Sequence, residues 1–116
     1  MRGLILLLLA LAASSAWAAD SGEALYQAQC SGCHALSGAS TSNGPSLKGV
    51  IWRKIATLPD FDYSGALKAK LGSWSPARLD TFLADTQGFA PGTGMYFAIQ
   101  DPAQRRAIID YLKTAP

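Results

Sequence analysis

Cys30, Ser31, Gly32, Cys33 and His34 put two thiols and an imidazole within five consecutive residues. The pattern C-x-x-C-H reads as a c-type haem attachment site. Each thiol adds across one vinyl group of the porphyrin, with the sulfur bonding one vinyl carbon and the hydrogen going to the other. Two intervening residues let one turn of backbone present both sulfurs to one porphyrin edge. The histidine next to the second anchor then lies beneath the ring and ligates the iron. Other chemistries use C-x-x-C. A thioredoxin-like redox pair needs an α/β setting, and no alternating strand pattern accompanies this one. A closed zinc site takes four ligands, and the chain has two cysteines and one histidine. A plain disulfide between Cys30 and Cys33 is the remaining alternative.

Iron held by one histidine has a sixth position, and its occupant separates electron transfer from ligand chemistry. His34 is the chain's one histidine, so a second histidine ligand from the same chain is excluded. Beyond the N-terminal Met1, the one methionine is Met95, within Pro91-Gly92-Thr93-Gly94-Met95. The turn residues of this segment can carry a thioether back over the ring. A lone methionine also serves as ordinary core filling; the loop context favours the ligand role.

The elements that must position these groups read as helices. A first helix is expected from about Ser21 into the cysteine motif, with Ala24, Leu25 and Ala28 on one face. Gly38 to Pro45 is rich in turn residues and reads as loop, as does Lys48 to Asp62 with its proline and two aspartates. A short helix fits Ser64 to Leu71, ending near Gly72. Ser75-Pro76 and Asp101-Pro102 are two cap-plus-proline starts, where the missing proline N–H costs nothing. Leu79, Phe82 and Leu83 give the apolar side of the first of these helices. Ile108, Ile109, Tyr111 and Leu112 give that of the second. Gln87 to Gly94 holds three glycines and a proline and is expected to be loop. The fold class is therefore all-α, with about three to five helices and long loops. Loops this long are unusual in a small domain unless they wrap something, and a haem would be that something.

Met1 to Ala18 has the form of a secretory signal: Arg2, an apolar run from Leu4 to Ala13, and the small-x-small site Ala16-Trp17-Ala18. Residues 1–18 are read as the leader and 19–116 as one domain. The apolar run is short for a membrane span of about 20 residues, so cleavage is favoured over a retained anchor, and no integral span remains after it. With Arg2 gone, the ten basic side chains become nine against eight acidic ones, a net charge near +1. Such a balance argues against a nucleic-acid partner. Fewer than about 100 residues remain, a size at which a thin core commonly needs reinforcement.

From about Gly22 to Leu112 the chain resembles the class I c-type cytochromes, the family of mitochondrial cytochrome c and its bacterial relatives. Cys30, Cys33 and His34 match the haem-binding segment, and Gly44-Pro45-Ser46-Leu47 resembles the family's G-P-x-L. Phe61, Tyr63 and Ser64 resemble F-x-Y-[ST], Trp74 matches the family tryptophan, and Pro91-Gly92-Thr93 with Met95 and Phe97 resembles P-G-T-x-M-x-F. The resemblance implies one haem c, covalent through Cys30 and Cys33, with iron ligated by His34 and Met95. It implies that the Pro45 carbonyl orients His34. It also implies that Arg53, Tyr63 and Trp74 line the propionates, that Thr93 and Phe97 belong to the pocket, and that Gly22 and Tyr26 meet Tyr111 and Leu112 where the first and last helices cross. Each has an ordinary alternative: Tyr63 and Trp74 as core aromatics, Arg53 with Lys54 as a solvated pair, Phe97 as general packing.

Departures from the family pattern carry expectations of their own. Leu67 and Phe82 stand where relatives often have polar side chains near a propionate and the methionine sulfur, which implies a drier pocket and a shifted potential. Gly94, Gln29 and Gln87 stand where relatives often carry lysines that steer docking onto acidic partners, so a less charged docking patch is expected. The resemblance implies a soluble, periplasmic one-electron carrier between redox protein partners, not an enzyme, acting as a monomer or as a small subunit of a redox complex. Two alternatives stay open: a haem subunit of a larger dehydrogenase, or a haem enzyme or gas-binding protein with a labile methionine. Against the last, the chain has no distal histidine to act as acid or base.

Overall fold

Among the described residues, five short helices, each begun by a side-chain cap, carry the regular structure. The structure is a computed structural model and describes residues 21–116; the expected leader lies outside the described residues. The helices are α1 (Gly22–Gln29), α2 (Gly65–Lys68), α3 (Pro76–Ala84), α4 (Thr86–Phe89) and α5 (Pro102–Leu112). Ser21, Ser64, Ser75, Asp85 and Asp101 each accept a hydrogen bond from a backbone N–H of the first turn, filling donors that a helix start leaves open. Among the described residues there are no strands, only an isolated antiparallel bridge between Lys54 and Ser73.

The packing centre is the crossing of α1 and α5. α1 buries Leu25 and Tyr26, and α5 buries Ile108, Ile109 and Leu112. The crossing brings Gly22 and Tyr26 against Tyr111 as the resemblance implied, and of the face expected from apolar spacing it buries Leu25 alone. Ala24 and Ala28 are exposed, because the crossing aligns Gly22, Leu25, Tyr26 and Gln29, the i, i+3, i+4, i+7 row, toward the interior. Gly22 makes the crossing close: a Cβ there would overlap the Ala107 carbonyl oxygen and lie 2.9 Å from Tyr111 Cβ. The Tyr26 and Tyr111 rings meet at 5.6 Å beside it. α3 buries Leu79, Phe82 and Leu83 and is tied to α5 by Arg105, whose Nε lies 2.8 Å from Asp80 Oδ1 while its guanidinium donates to Ile99 O at 2.6 Å.

Two local expectations are corrected. The helix expected over Ser64 to Leu71 is a single turn: Leu71 is 86% exposed, so nothing holds it helical, and Gly72 turns away with φ +88°. The segment expected as loop from Gln87 contains α4, because the Asp85 carboxylate caps Gly88 N at 3.0 Å despite the glycines. The 48–62 segment is irregular as expected, yet firmly held. Trp52 N bonds Trp74 O at 2.8 Å, Trp74 N bonds Arg53 O at 2.8 Å and Ile55 N bonds Gly72 O at 3.0 Å. This pairing sustains left-handed φ values at Trp52 (+67°) and Ala56 (+58°), which side chains other than glycine rarely adopt.

Candidate haem site

The cysteine motif follows directly from α1. Cys30 N bonds Tyr26 O at 2.8 Å and His34 N bonds Cys30 O at 3.0 Å, so one turn leaves the helix and delivers the imidazole. Cys30 is buried and Cys33 exposed, both as free thiols. Burial, then the neighbouring Cys33, pushes the Cys30 thiol up to about 11. The turn is braced by two groups for which no role was expected at this site. Thr41 Oγ1 donates to Cys33 O at 2.5 Å, and the Tyr26 hydroxyl donates to His34 O at 3.3 Å.

His34 is oriented by the loop opposite. Its Nδ1 lies 2.8 Å from Pro45 O, a carbonyl that can only accept, so Nδ1 carries the proton and Nε2 keeps its lone pair. Burial lowers the His34 pKa, outweighing the Pro45 hydrogen bond that raises it, with Arg53 adding to the lowering. The neutral imidazole that results is the form a metal takes. Gly44 is what allows the approach, since a Cβ there would stand 2.7 Å from His34 Cε1 and Nδ1 and 2.9 Å from Cys33 O.

Beside this turn lies a cavity of about 580 Å³, within the range of roughly 300–1,000 Å³ that holds bound cofactors. Its lining brings together Cys30, Cys33, His34, Pro45, Arg53, Tyr63, Trp74, Thr93, Met95 and Phe97, along with Leu67 and Phe82. The residues singled out from the sequence therefore share one chamber. Arg53 is half-buried and donates to Lys48 O at 3.1 Å, whereas Lys54 is exposed. Burial lowers the Arg53 pKa, partly offset by Tyr63 and Asp60. Trp74 packs against Phe82 at 5.1 Å and Phe89 at 5.6 Å. Two thiols, one oriented imidazole and one thioether around a largely apolar chamber fit a flat apolar macrocycle with a central metal. They do not fit a bare cation: no cluster of metal-binding side chains occurs among the described residues.

The family model for cytochrome c matches residues 19–116. The chain belongs to the cytochrome c family. Its class is that of the class I c-type cytochromes, haem-based electron carriers, and its cofactor is a covalent haem c for which Cys30 and Cys33 are the thiols. Cytochrome c-type cyt cy of Rhodobacter capsulatus is 40% identical over 99 residues, 84% of this chain and 49% of that protein, so the alignment spans about half of that relative. Cytochrome c2 iso-2 of Magnetospirillum fulvum is 41% identical over 87 residues, covering 73% of this chain and 90% of the relative. Among solved structures, cytochrome cH from Methylobacterium extorquens superposes with a TM-score of 0.74 at 38% identity, over 80% of this chain and 94% of that one. The all-α cytochrome c fold expected from the sequence is thus the fold of the chain.

Thr86 and the bonding of Gln87 were not legible as site features. Thr86 is fully buried, yet it lies between the expected helix ahead of it and the glycine-rich stretch from Gln87, where nothing assigned it a role. The one signal in the sequence was Asp85 followed three residues later by Gly88, a cap pattern.

Proposed function

We propose that this cytochrome c is a one-electron carrier whose haem iron is ligated by His34 and Met95. The observation that carries this reading is the chamber in which an Nδ1-anchored imidazole and the thioether-bearing loop face one cavity. When bound, the haem supplies a ferric–ferrous couple. The chain's residues do the rest. Pro45 fixes the imidazole, Leu67 and Phe82 keep water and hydrogen-bond donors away, and the neutral nitrogen and sulfur donors favour the reduced iron. Arg53, Tyr63 and Trp74 would hold the propionates. His34 is the chain's one histidine, so no second imidazole is there to act as acid or base, which supports a carrier over an enzyme. The reading includes export to the periplasm, with residues 1–18 as leader and 19–116 as one domain. No helix of the described residues is long and apolar enough to cross a membrane.

Met95→Ala tests the ligation. The ferric protein is expected to pass from low to high spin, and its potential to fall by on the order of a few tenths of a volt. An unchanged low-spin spectrum would remove Met95 from the iron.

Redox proteins are the partners of such a carrier, and the rim of the cavity supports a weakly charged docking face. Ser42, Asn43, Gly94 and Tyr96 line the cavity and are exposed, Tyr96 to 79%. The charged members of the lining, Arg53 and Asp62, belong to the 53–63 segment. Electron transfer with the native partner should therefore change less than about threefold between roughly 20 and 200 mM salt. A fall of tenfold or more, followed by stopped-flow, would point to a charged docking face instead.

A further inference from the structure

The segment bearing Met95 has no regular structure of its own, and Gly92 (φ +91°) and Gly94 leave its backbone permissive. It is held instead by side chains of α4. The fully buried Thr86 hydroxyl lies 2.5 Å from Met95 O and 3.0 Å from Phe97 O as donor, and accepts from Phe97 N at 3.1 Å. Gln87 uses both ends of its amide: Nε2 donates to Thr93 O at 2.8 Å, and Oε1 accepts from Gly92 N at 3.1 Å. The two side chains thus bracket Met95, one binding the backbone before it and the other the backbone at and after it. α4 is itself fixed by the Asp85 cap and by Ala90 N on Thr86 O at 2.9 Å.

We infer that Thr86 and Gln87 are positioning residues that set how firmly Met95 occupies the sixth position of the iron. The inference rests on the reading that Met95 is the iron ligand. Release of the thioether requires the loop to swing out, and the swing must break these bonds. The buried ones are costly because their partners would be left without water. Gln87 spends both ends of its amide on the loop.

The test uses the ferric holoprotein and imidazole as the competing ligand, which traps the open form. Thr86→Val and Gln87→Ala should each raise imidazole affinity about tenfold, the effect of one to two lost hydrogen bonds. Each should also bleach the methionine-to-iron charge-transfer band at a correspondingly lower imidazole concentration. Thr86→Ser, which keeps the hydroxyl, should return to within about threefold of the parent. Ile109→Val, in the helix crossing away from the cavity, should lower the denaturation midpoint and leave imidazole affinity unchanged. A parent with the band and variants of unaltered affinity would overturn the clamp while leaving Met95 as ligand. So would an increase no larger than in Ile109→Val. A parent without the band would overturn both.

Discussion

A Cys30→Ala, Cys33→Ala double variant, made without added haem, is expected to lose its cooperative fold. The reason is the apolar surface that haem covers. The chamber beside His34 is lined by Val50, Leu67, Leu79, Phe82, Leu83 and Ile108 among others. At about 1.5–3 kcal/mol for each large apolar side chain left uncovered, the loss is on the order of 10 kcal/mol. That is comparable to the whole stability of a small domain, about 5–15 kcal/mol. Leu79, Phe82 and Leu83 of α3 and Ile108 of α5 line this space, so both helices lose packing together. Circular dichroism should show weak helix and no sharp thermal transition, while the haem-bearing parent melts as one unit. A cooperative transition in the double variant, with the parent's helical signal, would mean that the described core stands without the cofactor.

Gly22→Val is expected to destabilise the holoprotein by about 3 kcal/mol, lowering the melting temperature by roughly 10–25 °C. The new Cβ would meet backbone, the Ala107 carbonyl, and Tyr111 Cβ at 2.9 Å. Neither can rotate away as a flexible side chain would, so the helices must part. Parting them uncovers Leu25, Ile108 and Leu112, all now buried. Differential scanning calorimetry of the oxidised protein reads the shift. Because Gly22 is remote from the Met95 loop in sequence and lies outside the cavity lining, the ferric spectrum should keep its low-spin form below the transition. A shift under about 2 °C would show that the crossing tolerates separation.

What the sequence made legible was mostly local. Ser75-Pro76 and Asp101-Pro102 start α3 and α5 where expected, because a cap and a proline act within one turn and need no partner elsewhere. The cysteine motif was readable for the same reason, since both thiols and the imidazole lie within one turn, whereas the Pro45 carbonyl, eleven residues from His34, came only from the family resemblance. Features set by distant contacts were not readable. The left-handed Trp52 and Ala56 depend on pairing with residues 72–74. Apolar spacing put Ala24 and Ala28 beside Leu25 on the inner face of α1, yet both are exposed; Gly22 and Tyr26, which the family resemblance placed at the crossing, meet α5 instead. Gln87 reads as surface polarity in one dimension, and only the return of the 92–95 loop turns its amide into a brace. Gly44 was visible as part of a motif, but the reason for it, the imidazole lying within 2.7 Å of where a Cβ would stand, appears only in three dimensions.

In the proposed carrier, a haem bound through Cys30 and Cys33 would take His34 and Met95 as its iron ligands. The optical spectrum of the ferric protein, purified from a host that exports and matures c-type cytochromes, tests this most directly. The expected result is a covalently bound, low-spin haem with the weak long-wavelength band of methionine sulfur bonded to ferric iron. A covalent but high-spin haem lacking that band would mean an open sixth position and would favour ligand binding or catalysis over electron carriage. A chain that matures without haem would contradict the central claim outright and leave Cys30 and Cys33 as an ordinary pair of thiols.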